Sequence, residues 1–372
     1  MNFEEAGWAH YAPDTVPDTA CGRVALVHRD HHIVWTTTGE VSATISGHLR
    51  HLDHDPPCVG DWVILREGSI ITEVLPRRTQ LSRKEAGKRM REQVLAANMD
   101  ILFIVSGLDR DYNPRRLERY LVLAHQSGAR PVVLLNKADL RGDLADVVRL
   151  TERHAPGVPV FALSALKQWC LEALPRSVQT GQTAALIGSS GAGKSTIVNA
   201  QLGESRQRIT DVRESDSRGR HTTTHRELIR MPGNWLLMDL PGLRELQLWA
   251  DPERVDSTFA DIVDLSRQCR FRDCSHNQEP GCAVREAELD PDRLRSYRKL
   301  QKELNFLELQ TDIHRARQIR KKRTPSRKTC GDIQSDFDDA SASLRHVEVQ
   351  KFAVDLQAGQ ACRAAKCPVP HT

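Results

Sequence analysis

The stretch Thr183–Thr196, TAALIGSSGAGKST, decides the fold. An apolar run ends at Gly188, and Gly188-Ser189-Ser190-Gly191-Ala192-Gly193-Lys194-Ser195 fits G-x-x-x-x-G-K-[ST], with Thr196 following. Strand, glycine-rich loop and a helix opening at Lys194 succeed one another, the context in which this motif carries meaning. The glycines let the backbone curl around a phosphate with its N–H groups inward, and the helix N-terminus adds partial positive charge. Lys194 is expected to reach the β- and γ-phosphates of a nucleotide, and the Ser195 hydroxyl to bind Mg²⁺.

Outward from this stretch, apolar runs and amphipathic helices alternate. On the N-terminal side lie DILFIVSGL, RRLERYLVLAHQSG, RPVVLLNKAD, LADVVRLTERH and VPVFALSA; on the C-terminal side HRELIRM and NWLLMDLPG read as a hairpin across PGN. This texture predicts an α/β, doubly wound, mostly parallel sheet covered on both faces.

The phosphate loop alone does not choose a base. Asn136-Lys137-Ala138-Asp139 closes the strand RPVVLL, at a carboxyl end where open α/β sheets bind ligands. The Asp139 carboxylate can accept two hydrogen bonds from the guanine N1 and amino groups, and adenine offers no such pair. Asn136 and the Lys137 stem are expected to brace the loop and cover the ring. Ser164-Ala165 ends the next strand and offers backbone N–H groups towards the guanine O6. Asp239-Leu240-Pro241-Gly242 ends NWLLM, so that Asp239 can hold Mg²⁺ through water and the Gly242 N–H can meet the γ-phosphate. Between them, Gly219-Arg220-His221-Thr222-Thr223-Thr224 can supply a Mg²⁺-coordinating Thr222 or Thr223. Leu243 occupies the position where Ras-type enzymes carry a water-orienting Gln, which predicts slow intrinsic hydrolysis. His221 is the candidate to stand in, and it reads equally well as a solvent-facing or partner-contacting side chain.

The order of these motifs is unusual. Base-reading elements (136–139, 164–165) precede phosphate-reading ones (188–196, 222–223, 239–242), so the domain is circularly permuted relative to a Ras-like arrangement. The sheet is unaffected by moving the break. The chain instead exits from the segment after Gly242, which is expected to sense the γ-phosphate.

The flanks read differently. Residues 1–20 lack periodicity and are expected to be a flexible tail. GRVALVH, HHIVWTT, EVSATIS, GDWVILR and SIITEVL follow at the spacing of a small barrel over 21–82, suiting an OB-fold or another small β-barrel. A basic linker (Arg77, Arg78, Arg83, Lys84, Lys88, Arg89, Arg91) leads into the nucleotide-binding domain, 92–250. A mainly helical region, 251–323, contains Cys269-x4-Cys274-x-His276-x5-Cys282. Three thiolates and an imidazole within fourteen residues make a closed Cys3His set that favours one structural Zn²⁺. A second basic run, Arg315–Lys328, precedes an unpatterned segment, 324–372, expected to be disordered. The chain has 372 residues and a net charge of only +4, so the basic runs rather than the total hint at a nucleic-acid partner. No apolar run approaches the ~20 residues that span a bilayer, and the acidic start MNFEEAGWAH is unlike a signal peptide. No membrane partner and a cytoplasmic location are expected.

The permuted order, GRHTTT, DLPG and RFRDCSHNQEPGCAV, after LSRK and REQVLAANMD, resemble the small ribosomal subunit biogenesis GTPases of the RsgA family, over roughly Gly22 to Lys322. The resemblance implies an N-terminal OB-fold, a central permuted GTPase domain and a C-terminal zinc domain. It also implies a monomer that binds GTP and GDP, acts in late maturation of the 30S subunit next to rRNA, and is stimulated by that subunit. The competing expectation is an RNA-binding adaptor with little turnover; a further one is an ATP-using phosphate-loop enzyme.

Overall fold

The computed structural model describes residues 5–11, 20–28, 31–51, 55–84, 92–109, 112–203, 226–240, 252–287 and 289–323. The flexible tail expected over 1–20 is corrected at residues 5–11. Helix α1 (Trp8–Tyr11) docks because its two aromatic rings pack on Trp62, at centroid separations of 4.7 Å for Trp8 and 5.7 Å for Tyr11. Each such pair contributes about 1 kcal/mol beyond burial. The buried Arg23 clasps the segment by donating from Nη1 to the Ala6 carbonyl (2.6 Å) and from Nη2 to the Asn98 carbonyl (3.0 Å). Burial pulls its guanidinium pKa down to about 10. Residues 12–19 and the tail expected over 324–372 lie outside the described residues.

The five expected barrel strands are β1 (Cys21–Val27), β2 (His32–Thr36), β3 (Gly39–Ile45), β4 (Trp62–Arg66) and β5 (Ile70–Val74), with the short α2 (Gly47–His51) between β3 and β4. They run in the order β1-β2-β3-β5-β4, and β4 pairs back on β1 to close the barrel. Alternation aims one residue per strand inward: Val24, Val34, Ala43, Val63 and Ile71 are all fully buried in one cluster.

The basic linker is also corrected. Gln80–Lys84 (β6) and Glu92–Ala97 (β7) form an antiparallel ribbon. Arg77 belongs to the interior chemistry instead of a phosphate-binding face: its Nε and Nη2 clasp the two oxygens of the fully buried Asp61, both at 2.8 Å. The middle of the basic run, residues 85–91, lies outside the described residues.

The second half of the sheet contains β8 (Ile101–Gly107), β9 (Arg130–Asn136), β10 (Val160–Ala162), β11 (Thr183–Gly188), β12 (Glu227–Met231) and β13 (Trp235–Asp239), in the order β10-β9-β8-β11-β13-β12. All pairings here are parallel except the β12–β13 hairpin. Helices α3 (Pro114–Ser127), α4 (Leu144–His154), α5 (Ala173–Ser177) and α6 (Lys194–Leu202) lie between the strands in sequence. Along β8 the residues alternate between two cores: Leu102 and Ile104 join one with α3 and α4, Phe103 and Val105 the other with α6. The sheet is therefore covered on both faces, as a doubly wound fold requires. From β8 the chain winds through β9 to β10, then returns to the other side of β8 with β11. The β8/β11 seam is thus the topological switch point.

After the sheet come α7 (Pro252–Thr258), α8 (Ala260–Ser266), α9 (Ala283–Glu286) and the long α10 (Pro291–Arg323). A buried polar cluster ties these helices to the sheet domain. Glu118 of α3 accepts from His154 Nδ1 (2.7 Å) and from Arg293 Nη1 (2.9 Å), and Arg293 grips Asp261 bidentately at 2.8 and 2.9 Å while lying over the Phe259 ring. Arg115 and Arg119, on the same α3, pair with Asp292 and Glu303 of α10. Arg293→Met would strand the Glu118 carboxylate, which has no exposure to water. We expect a loss of about 3–5 kcal/mol in urea unfolding, partly recovered in Arg293→Met/Glu118→Leu, because replacing a buried ion pair by apolar groups is often near neutral while His154 Nδ1 still loses its acceptor.

Candidate nucleotide site and metal centre

Parallel strands place their carboxyl ends on one edge. Gly107, Asn136, Ala162, Gly188 and Asp239 end β8, β9, β10, β11 and β13 there. The edge therefore brings together the predicted 136–139, 164–165 and 188–196 segments and Asp239.

Gly188 and Gly193 are required by close approaches. At Gly188 (φ 153°) an added Cβ would lie 2.3 Å from the Val105 carbonyl oxygen; at Gly193 (φ 93°) it would lie 2.2 Å from Asn136 Nδ2. Gly191 is also left-handed and Ala192 is buried, and Ser189 and Ser190 complete the loop between β11 and α6. Helix α6 opens at Gly193, which has no side chain to cap it, and the N–H groups of a helix's first turn suit an anion. The Lys194 ammonium is buried inside the loop, donating to the Gly188 and Ser189 carbonyls, both at 2.8 Å. Asp239 is buried at the end of β13, in register with Leu186 of the phosphate-loop strand.

Asn136 joins the two halves of the site. Its Nδ2 donates to the Ala192 carbonyl in the phosphate loop (2.9 Å), and its Oδ1 accepts from the Ala165 N–H (3.0 Å). Lys137 takes a left-handed conformation (φ 64°, ψ 33°) and its ammonium pairs with Asp109. Ala138 is buried and donates its N–H to the Leu163 carbonyl, and Asp139 stands exposed in the short 3-10 turn Ala138–Leu140. The N–H groups expected to face guanine O6 are engaged within the loop: Ser164 donates to the Trp169 carbonyl (3.1 Å) and Ala165 to Asn136. Leu140, the last residue of this turn, and Leu166, next to Ala165, are both exposed. Asp109 was not legible as a site residue; the signal for it was a carboxylate two residues past a strand's carboxyl end. His221, Thr222, Thr223 and Gly242, together with Leu243, lie outside the described residues.

At the metal centre, the ligand atoms of Cys269, Cys274, His276 and Cys282 all lie within 4.8 Å of one another. His276 Nδ1 is 3.5 Å from both Cys269 Sγ and Cys282 Sγ, and those sulfurs are 3.9 Å apart. A tetrahedron with Zn–S about 2.3 Å and Zn–N about 2.0–2.1 Å has edges near 3.5 Å (S to N) and 3.8 Å (S to S). The set therefore fits a zinc ion. Burial, with the neighbouring thiols, pushes the Cys274 thiol up to about 11, and a bound cation would favour its thiolate. Glu279 was also missed: it accepts from the N–H groups of Ser275 (3.0 Å), Asn277 (2.8 Å) and Gln278 (3.0 Å), fixing the loop on either side of His276. These bonds, with the Ser275 hydroxyl first among them, hold its carboxyl well below the usual range.

The family model described as RsgA GTPase matches residues 74–249. A protein of Opitutus terrae named small ribosomal subunit biogenesis GTPase RsgA is 44% identical over 342 residues, 84% of this chain and 92% of that protein. A Methanosarcina acetivorans protein of the same name is 45% identical over 301 residues, 78% of this chain and 81% of its own length. Among solved structures, YjeQ from Thermotoga maritima superposes with a TM-score of 0.58 at 27% identity, covering 77% of this chain and 98% of that one. YloQ, a circularly permuted GTPase, superposes with a TM-score of 0.54 at 22% identity, covering 77% and 94%, a likeness of fold. Among the described residues no helix is long and apolar enough to cross a membrane.

Proposed function

This chain belongs to the RsgA GTPase family, and from that premise we propose that it is a GTP-hydrolysing assembly factor acting on the small ribosomal subunit. In this reading it binds the 30S subunit and its rRNA with GTP and leaves after hydrolysis to GDP and phosphate. The observation that carries it is the double hydrogen bond of Asn136, which makes the base-reading and phosphate-reading loops one site.

Within that site, Asp139 accepts from guanine, the Lys137 stem covers the ring with Leu140 and Leu166 beside it, and Ala138, Ser164 and Ala165 hold the loop's shape. Residues 188–196 cradle the phosphates, and Lys194 turns from two loop carbonyls to two phosphates. Mg²⁺ is held by Ser195, by Thr222 or Thr223, and through water by Asp239, with the Gly242 N–H on the γ-phosphate. His221 is the candidate to orient water. One structural Zn²⁺ sits on Cys269, Cys274, His276 and Cys282. The modules fall at 21–82 for rRNA binding, 92–250 for GTP and 251–323 for zinc, in a cytoplasmic monomer. Support for an RNA contact comes from the zinc loop, where the Arg270 guanidinium lies 5.5 Å from the exposed Phe271 ring, a pairing suited to stacking on an unpaired base.

Measuring GTP turnover with and without purified 30S subunits tests the reading. We expect slow turnover alone and stimulation of about tenfold or more on the subunit, since completing a phosphoryl-transfer site in trans is worth up to ~10⁵. Turnover that no 30S preparation raises would favour the adaptor reading instead.

A further inference from the structure

We propose that Asp109 is a positioning residue for the base-reading loop: its carboxylate anchors the Lys137 ammonium so that the lysine stem is preset across the bound base. The inference rests on Asn136–Asp139 being the guanine site.

Four observations converge on this carboxylate. Lys137 holds a left-handed backbone conformation (φ 64°), uncommon for a residue with a long side chain, so the surrounding structure must fix it. Part of that fixing is visible: Leu108 N–H donates to the Asn136 carbonyl (2.8 Å) and Leu140 N–H to the Lys137 carbonyl (3.0 Å). The remaining freedom is in the lysine stem, and its ammonium ends on Asp109. Finally, Asp109 occupies the seam between the two loops. A Cβ built on Gly107 would lie 3.3 Å from Asp109 Oδ1 and 3.5 Å from Ala192 Cα, so carboxylate and phosphate loop border the same glycine.

The physical logic is preorganisation. A free lysine stem samples many rotamers and must be ordered when it covers a base; a fixed counter-ion orders it beforehand, and the binding free energy that would go into ordering is kept. Asp109 itself comes from a different strand than Lys137. It follows β8, the strand at the switch point, and its carbonyl accepts from Tyr112 N–H (3.3 Å) just before Asn113 caps α3. Both side chains are about one-third exposed, at 28% and 32%, so the ion pair as such contributes little to folding. Its effect should appear in nucleotide affinity.

The test compares wild type, Asp109→Ala, Asp109→Glu, Lys137→Ala and the double variant Asp109→Ala/Lys137→Ala. Affinity and dissociation rate of a fluorescent GDP and a fluorescent GTP analogue are read alongside single-turnover hydrolysis at saturating GTP and thermal melting. Asp109→Ala should weaken both nucleotides by a similar factor, about fivefold, with the loss in faster dissociation, an unchanged saturating rate and an unchanged melting temperature. The double variant should be no weaker than Lys137→Ala, because Asp109 acts only through that lysine. Asp109→Glu should restore most of the affinity. Affinity unchanged in Asp109→Ala, additive losses in the double variant, or a loss that tracks melting would each overturn the proposal. If the wild-type chain itself binds no guanine nucleotide, it is the reading of residues 136–139 that falls.

Discussion

Lys194→Ala will lose GTP by two to four orders of magnitude in affinity, with hydrolysis falling below detection, while the chain stays folded. The expectation comes from what this ammonium touches. It is buried inside the loop and donates to the Gly188 and Ser189 carbonyls, both at 2.8 Å, beside the backbone N–H groups of the loop and of the first turn of α6. Phosphate oxygens arriving on those N–H groups bring negative charge, and the lysine is the cation already in place to meet it. Two charge-assisted hydrogen bonds at about 1.5–3 kcal/mol each amount to roughly 3–6 kcal/mol, a factor of ~10² to ~10⁴ in dissociation constant. The triphosphate should suffer more than the diphosphate, since only the former offers oxygens on both the β- and γ-phosphates. Folding is protected because the two carbonyls freed by the substitution lie at a ligand-accepting edge where water can replace the ammonium. Calorimetric titration with GTP and GDP, beside a melting curve, checks each part. Retention of GTP affinity within about threefold would remove Lys194 from the phosphate site.

The sheet and the loops gathered at its carboxyl edge were legible because the signals are local. A phosphate loop is one contiguous strand, turn and helix, and the runs ending at Asn136 and Asp239 carry their own period and their own carboxyl-end polar residue. The barrel was legible for a similar reason, since β1 to β5 are short β-like runs set between turn residues. What stayed hidden depends on distance in sequence. The docking of α1 needs Trp62, more than fifty residues away, so an apparently loose start carries two aromatic anchors that no local pattern announces. Arg77 looked like part of a solvated basic run until Asp61 appeared beside it. Asp109 reached Lys137 only through the β8–β9 pairing. The roles expected of the Ser164 and Ala165 N–H groups met a different obstacle: backbone donors near a strand end have several acceptors in reach, and composition does not choose among them. The contact between α3 and α10, built from Glu118 and Arg293, is of the same kind. It joins residues 175 apart and gives the sheet domain a second connection to the C-terminal helices, in addition to the chain's own continuation after Gly242.

Zinc is the other place where one side chain should decide everything. Cys274→Ser is expected to take the metal content of freshly purified protein from one zinc per chain to none and to unfold the ligand loop at the cluster. The magnitudes leave little room for a milder result. Structural zinc in such sets contributes about 10–16 kcal/mol of binding free energy at neutral pH, comparable with the ~5–15 kcal/mol that holds an entire domain together. Within the ligand loop itself little else is available. Cys269 and Cys274 bracket a loop whose Arg270, Phe271, Arg272 and Asp273 are all exposed, and Cys282 is both a candidate ligand and the N-cap residue of α9. Without the metal, three thiols and an imidazole converge on one point with no cation between them. Glu279→Gln provides the graded control, since it keeps all four ligands and weakens only the hydrogen bonds that shape the loop at His276. Removing such an outer partner should cost about 10–100-fold in zinc affinity without unfolding the module. The rank order, wild type above Glu279→Gln and Cys274→Ser without metal, is measured by metal analysis and by chelator competition. Full zinc occupancy in Cys274→Ser would exclude that thiol as a ligand. A Glu279→Gln protein indistinguishable from wild type would mean that the loop is shaped by the ion alone.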